Sequence, residues 1–292
     1  MKNIKLPKDI LNYTLSFLSD DEQNYCEERN WYKFDKDEIC NIAAENGWLD
    51  LLEWAIKNKC HYDSFTCEIS AATGHLEVLK LLKKNGCKWD SKVCSEAARY
   101  GHFEILKWAR NNECEWDSEV CSQAARYGHF EILKWARDNE CEWDKYTCAN
   151  AAEGGYLDIL KWLKMNGCEW NEKTCDNAAY GGHLDILKWA RSGPDICPWN
   201  SWTCISAAEK GHLNILIWAL ENGCEWSATA YHGAATNGHF EVIEWALENG
   251  YYLDEYTCSY AHEFDHIDIL KLLKNNGCKC NGKYHKDEDE QK

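Results

Sequence analysis

No stretch of this 292-residue chain holds the roughly 18–20 consecutive apolar residues that a bilayer span needs, which argues against a membrane-crossing helix. Met1 to Ser19 lacks the pattern of a secretory leader: Lys8 and Asp9 interrupt it, and no small-residue cleavage site follows. A cytoplasmic or nuclear, reducing setting is therefore expected. Positive charge is scarce, 32 Lys and Arg against 49 Asp and Glu, for a net charge of −17. An acidic surface repels phosphate backbones, so neither nucleic acid nor an anionic membrane is expected as a partner, and a basic or neutral protein suits the charge better. There is no phosphate-cradling glycine loop. The cysteines and histidines that stand alone (Cys26, His61, His232, His262, Cys280, His285) are scattered, with no nucleophile beside a base. No enzyme activity, catalytic residue or cofactor is expected. Tight C-x2–4-C pairs of the zinc type are missing as well. The nearest candidate set, Cys60, Cys67 and His75, has its two cysteines six residues apart, so no metal is expected.

What is present is a period of 27 residues. Gly47, Gly74, Gly101, Gly128, Gly155 and Gly182 fall in register; Gly211 and Gly238 follow after a two-residue insertion near Asp195–Pro198, and Asp265 takes the ninth place. A fixed period of this length means a solenoid whose units pack on their neighbours. Sixteen of the 18 cysteines belong to it. One column is Cys40, Cys67, Cys94, Cys121, Cys148, Cys175, Cys204 and Cys258; the other is Cys60, Cys87, Cys114, Cys141, Cys168, Cys197, Cys224 and Cys278. Cysteine behaves as a small hydrophobe, so each column is expected to be a buried ladder of free thiols.

One unit shows the local design. Asp90 is a good N-cap for a helix that runs from Ser91 and places Val93, Cys94, Ala97 and Ala98 on one stripe. Trp89 precedes the cap and Cys94 follows it by four residues, the spacing of a hydrophobic staple. Gly101 closes the helix. A second helix follows with Phe103, Ile105, Leu106, Trp108 and Ala109 on its apolar side. Trp54, Trp108, Trp135, Trp162, Trp189, Trp218 and Trp245 form a ladder there that is expected in the core. Glu113 and Glu140 stand where other units end the second helix with glycine. The expectation is an all-α helix-turn-helix solenoid of nine repeats over residues 36–280, with little or no β-hairpin, a head at 1–35 and a disordered polar tail at 281–292.

"AARYGHFEILKW" and "AAEKGHLNILIW" resemble the ankyrin signature of Ala-Ala, Gly-His and an aliphatic helix. The resemblance runs from about Asp37 to Cys278. It departs from the usual unit of about 33 residues in lacking the Thr-Pro-Leu-His stretch and about six residues of the projecting hairpin. The Cys- and Trp-rich 27-residue form is similar to arrays abundant in giant DNA viruses and some protists, which would put it in a host cytoplasm. The resemblance implies protein binding without catalysis, and a structural histidine bonded to nearby backbone. The head has two readings. Leu6, Pro7, Ile10, Leu11, Leu15 and Leu18 resemble the opening of an F-box, which docks on the adaptor of a cullin-type ubiquitin ligase; the other reading is a helical cap over the first unit.

Positions that vary between units are free to meet a partner. Two residues after each cap stand Phe65, Lys92, Glu119, Tyr146, Lys173, Trp202, Thr229 and Tyr256. Just before the turn glycine stand Arg99-Tyr100, Arg126-Tyr127, Tyr180 and Lys210. Tyr, Trp and Arg dominate binding hot spots, so Phe65, Arg99, Tyr100, Arg126, Tyr127, Tyr146, Tyr180, Trp202 and Tyr256 are expected to line the binding face of a monomer.

Overall fold

A computed structural model describes residues 3–5, 33–35 and 38–278. The F-box-like residues Leu6, Pro7, Ile10, Leu11, Leu15 and Leu18 lie outside the described residues, as does the tail at 281–292. The chain divides into two compact units, Met1–Glu142 and Trp143–Lys292.

The first unit holds four helix pairs: α1 (Ile39–Asn46) with α2 (Leu49–Lys57), α3 (Ser64–Ala72) with α4 (Leu76–Lys84), α5 (Ser91–Arg99) with α6 (Phe103–Asn111), and α7 (Ser118–Arg126) with α8 (Phe130–Asp138). It also holds two short strands, β1 (Asn3–Lys5) and β2 (Lys33–Asp35), paired antiparallel with Ile4 opposite Phe34. The second unit holds five pairs: α9 (Lys145–Gly154) with α10 (Leu157–Met165), α11 (Glu172–Gly181) with α12 (Leu184–Ala190), α13 (Ser201–Glu209) with α14 (Leu213–Glu221), α15 (Thr229–Thr236) with α16 (Phe240–Glu248), and α17 (Glu255–Glu263) with α18 (Ile267–Asn275). Within each unit first helix packs on first helix: α3 on α5 on α7, and α9 on α11 on α13 on α15 on α17. The fold is an all-α helical repeat solenoid, and the described repeats carry no strand.

The caps are those the sequence announces. The Asp90 carboxylate accepts from the Lys92 N–H at 3.0 Å, Asp117 from Glu119 at 3.0 Å, Asp144 from Tyr146 at 2.9 Å and Asn200 from Trp202 at 2.8 Å. At the other end His102 N–H reaches back to the Ala97 carbonyl at 2.8 Å, and Gly101 N–H to that of Ala98 at 3.4 Å. This is a Schellman closure, which requires the left-handed φ of 77° found at Gly101.

Second helices close in the same way, with Cys114 N–H on the Ala109 carbonyl at 3.0 Å and Glu113 N–H on that of Arg110 at 3.2 Å. Glu113 therefore sits at φ 64° and Glu140 at φ 66°, in the region that favours glycine. Asn112 offsets part of this by donating its side-chain N–H to the Trp108 carbonyl at 2.8 Å. Glu113→Gly should raise stability by about 1 kcal/mol, read as a higher urea midpoint at unchanged slope.

The core consists of the aliphatic pair of the second helices, Ile-Leu in most, the alanines of the first helices, Ala-Ala in most, and the two cysteine columns. The indoles are not in it. Trp54, Trp108, Trp135, Trp162, Trp189, Trp218 and Trp245 are all partly exposed. Five of them belong to an outer layer in which the tryptophan before the cap packs edge-on against the one of the second helix: Trp89 on Trp108 at 5.5 Å, Trp116 on Trp135 at 5.6 Å, Trp143 on Trp162 at 5.7 Å, Trp170 on Trp189 at 5.5 Å and Trp199 on Trp218 at 5.8 Å. Cations from the preceding repeat cover several of these rings, with Lys83 at 3.8 Å from Trp89 and Arg191 at 4.1 Å from Trp199. The ring contact of Trp89 is thus with Trp108, whereas the staple spacing pairs it with Cys94.

The cysteine columns meet each other. The Cys67 thiol lies 2.9 Å from that of Cys87, and Cys94 hydrogen-bonds Cys114 in the same manner. The Cys114 thiol passes its own hydrogen to the Asp90 carbonyl at 3.2 Å, so a relay runs from first helix to loop to N-cap. Fourteen described cysteines carry no disulfide, whereas Cys258 and Cys278 are bonded to each other, a departure from the expected ladder of free thiols. In the eighth repeat both places change together. Tyr231 replaces one cysteine and Tyr251 the other, and the Tyr231 hydroxyl donates to the Tyr251 carbonyl at 3.1 Å.

Candidate protein-binding face

The first helices are aligned by a clamp between repeats. In the first unit the His75, His102 and His129 Nε2–H groups donate to the carbonyls of Glu45, Ala72 and Arg99 at 3.1, 3.0 and 2.9 Å. In the second, His183, His239 and His266 reach Glu153, Glu209 and Thr236 at 3.1, 2.8 and 3.0 Å. Each ring spans from its own turn to the last turn of the preceding first helix, and so fixes how successive first helices align. His75 is committed to this bond and Cys67 to Cys87, so the set Cys60, Cys67 and His75 does not converge. Among the described residues no group of three or more Cys, His, Asp or Glu side chains could hold a metal ion. His232, one of the unperiodic histidines, lies 2.6 Å from Asp254, the N-cap of α17.

The clamp leaves one row of side chains at the start of each first helix and another at its end. At the start stand the residues two after the cap; the N–H groups of Phe65, Tyr146 and Trp202 donate to their cap oxygens, whereas the Asp254 cap accepts from Thr257. Phe65, Tyr146, Trp202 and Tyr256 are all exposed there, Trp202 by 53% and Tyr256 by 60%. Trp202 is the one described tryptophan of that exposure. Lys173, at the same place one repeat earlier, holds its ammonium 5.5 Å from the Trp202 ring centre. At the helix end Tyr100, Tyr127 and Tyr180 are exposed. Arg99 is partly buried between two of them, 5.2 Å from the Tyr100 ring and 5.3 Å from that of Tyr127. Arg126 lies 6.0 Å from Tyr127, and Lys210 lies 4.3 Å from Tyr180.

The structure thus brings together Arg99, Tyr100 and Tyr127 in the first unit, and Lys173 with Trp202 and Lys210 with Tyr180 in the second. It keeps the helix-start row apart from the helix-end row. Six exposed apolar side chains lie outside both rows: Leu49, Tyr156, Met165, Ile196, Tyr252 and Ile267. Met165 and Ile196 sit at a helix end and in the inserted loop, where no comparison between repeats singles them out. Tyr252 follows the tyrosine that replaces the loop cysteine, the only signal that could have marked it.

Two kinds of side chain on this face are adapted to contact rather than chemistry. The aromatic rings offer large area at low rotamer entropy, and the flanking Lys and Arg stack on them. The thiols and imidazoles lie behind, engaged with backbone.

Residues 204–284 match the family model described as ankyrin repeats, in three copies. The match supports an ankyrin-repeat protein. Ankyrin repeats imply a protein–protein interaction module, and the family is typically non-enzymatic. No curated protein matches the chain. No helix among the described residues is long and apolar enough to cross a membrane. The histidine-to-carbonyl clamp is not confined to the matched residues: it already stands at His75, His102, His129 and His183.

Proposed function

We propose that the whole array from residue 38 to 278 is ankyrin-like and is a passive binding module for another protein, which it reads across the exposed ends of its first helices. The observation that carries this reading is the exposure of Trp202 and its counterparts Tyr146 and Tyr256 at the place where repeats differ, while the tryptophans before the caps, from Trp89 to Trp199, pack edge-on against those of the second helices. Interface hot spots are built from such aromatic anchors with cations beside them. The net charge of −17 favours a basic or neutral partner. The thiol-rich interior suits a reducing compartment, cytoplasm or nucleus.

A photo-crosslinking side chain placed at Trp202 should capture a protein partner that the same group at exposed Met165 does not. With that partner in hand, Tyr146→Ala together with Trp202→Ala should weaken binding by about 30-fold or more, the sum of two ordinary hot-spot losses, at an unchanged melting temperature. Equal capture from both positions, or full affinity in the double variant, would move the site off this face.

The head adds a second element. The likeness of Leu6, Pro7, Ile10, Leu11, Leu15 and Leu18 to an F-box makes the array the target-choosing part of a ubiquitin-ligase receptor. Recovery of the ligase adaptor by the wild-type chain and not by a Leu6→Ala, Pro7→Ala variant supports that role. Equal recovery leaves the head as a cap.

A further inference from the structure

The eight cysteine pairs have a chemistry that the binding role does not use. Each first-helix cysteine meets the loop cysteine 20 residues later, or 22 later across the insertion, as with Cys175 and Cys197. The pairing is selective. Cys67 touches Cys87, Cys94 touches Cys114, Cys148 touches Cys168 and Cys204 touches Cys224, always within one repeat. In the eighth repeat, where one partner is tyrosine, the other is too. The last pair, Cys258 and Cys278, is already joined, with its Cα atoms 6.7 Å apart, inside the separation of about 4.4–6.8 Å that a disulfide spans.

The two thiols of a pair are unequal. All are buried, but Cys67 and Cys204 on the first helices have 0% exposure, whereas their loop partners Cys87 and Cys224 keep 5% as residues. The hydrogen bond between them also acts in opposite directions: it pushes the Cys67 thiol up and holds that of Cys87 below the ordinary thiol range. The same division holds for Cys94 and Cys114, and for Cys204 and Cys224. A loop thiol with a second thiol in hydrogen-bond contact behind it, 2.9 Å away at Cys87 and Cys67, is an arrangement that intramolecular thiol–disulfide exchange can use.

We propose that each cysteine pair is a convertible dithiol, which a small disulfide of the glutathione class oxidises to a cystine within the repeat. The loop thiolate attacks one sulfur of glutathione disulfide, forms a mixed disulfide and expels one glutathione thiolate, which takes up a proton. The first-helix sulfur then loses its proton, attacks the protein sulfur of the mixed disulfide and expels the second glutathione. The pair loses two electrons and two protons, and one glutathione disulfide becomes two glutathione thiols. The new bond fastens the loop to the first helix behind the binding face. Pairs whose buried loop cysteine keeps a few per cent of accessibility, such as Cys67 with Cys87 and Cys204 with Cys224, react first; fully sealed pairs such as Cys94 with Cys114 react later.

The full folded chain is incubated with glutathione disulfide, quenched with acid, alkylated and read by intact mass and peptide mapping. Thiols should disappear two at a time, leave no bound glutathione, and give linked peptides joining Cys67 to Cys87 and Cys204 to Cys224 ahead of Cys94 to Cys114. Cys67→Ser removes the resolving sulfur, so Cys87 should then hold glutathione as a lasting adduct. Persistent glutathione on Cys87 of the wild-type chain would overturn the proposal. So would links between repeats, or a folded chain whose thiols stay intact while the urea-unfolded chain oxidises.

Discussion

Gly101→Ala should destabilise the protein by about 3 kcal/mol, while Gly86→Ala should cost about 1 kcal/mol. The two glycines share nearly the same backbone, φ 77° at Gly101 and φ 82° at Gly86. Any side chain therefore meets the same left-handed penalty at both. They differ in what a Cβ would touch. At Gly101 it would lie 2.7 Å from Cε1 of His129, whereas at Gly86 no described atom lies within 4 Å. To make room the His129 ring must swing away, which breaks its bond to the Arg99 carbonyl and loosens the clamp between successive first helices. The difference between the two variants, read from urea unfolding at equal slope, isolates the clamp from the backbone term. Equal losses would mean that the imidazoles merely fill space. A His129→Ala change made on top of Gly101→Ala should recover part of the loss, because the collision disappears with the ring.

That clamp was half visible in the sequence. The Gly-His step in six of the nine registers announces a turn, and the ankyrin likeness implies a histidine bonded to backbone. The acceptor lies 30 residues back in the chain, however, as from His129 to Arg99, and no local spacing reveals it. The caps, the helix pairs and the turn glycines were legible because each depends on neighbours within one helical turn. The exposure of Tyr146 and Trp202 was legible for the same reason, since the place two residues after the cap lies off the apolar stripe of the first helix.

The cysteine pairing was hidden by distance along the chain. Two columns of constant residues look alike whether they ignore or face each other, and the Trp89-to-Cys94 spacing offered a nearer partner. The tryptophans show a second kind of blindness. Constancy between repeats points to core, but a constant residue can equally serve a constant outer layer. An indole has the size to pack edge-on against its neighbour while one side stays in solvent, and tryptophan is seldom fully buried for that reason. Nothing in the composition of Asn3–Lys5 or Lys33–Asp35 marks a strand, because three residues are too few to show an alternation.

This placement of the indoles reorders the expected energetics. Leu106→Ala should cost about 3–4 kcal/mol and Trp108→Ala about 2 kcal/mol, although tryptophan is much the larger side chain. Leu106 is fully buried, with 0% exposure, between α5 and α6. Removing its methyl groups leaves a cavity with no route for water, so both the transfer loss and the cavity loss are felt. Trp108 has a face in solvent. Its removal opens a notch that water fills, and what is forfeited is the buried part of the ring and its edge contact with Trp89 at 5.5 Å. The losses should also differ in reach. A repeat draws its stability from its neighbours, so Leu106→Ala should lower amide protection in α5 and α6 and in the adjoining α3, α4, α7 and α8. Trp108→Ala should leave α3 and α7 as protected as in wild type, because the first helices keep their alanine contacts. Urea unfolding and native-state hydrogen exchange on the two variants measure both effects. If Trp108→Ala proves the costlier and spreads further, the indole layer is the true core, and the Ile-Leu pairs beneath it are secondary.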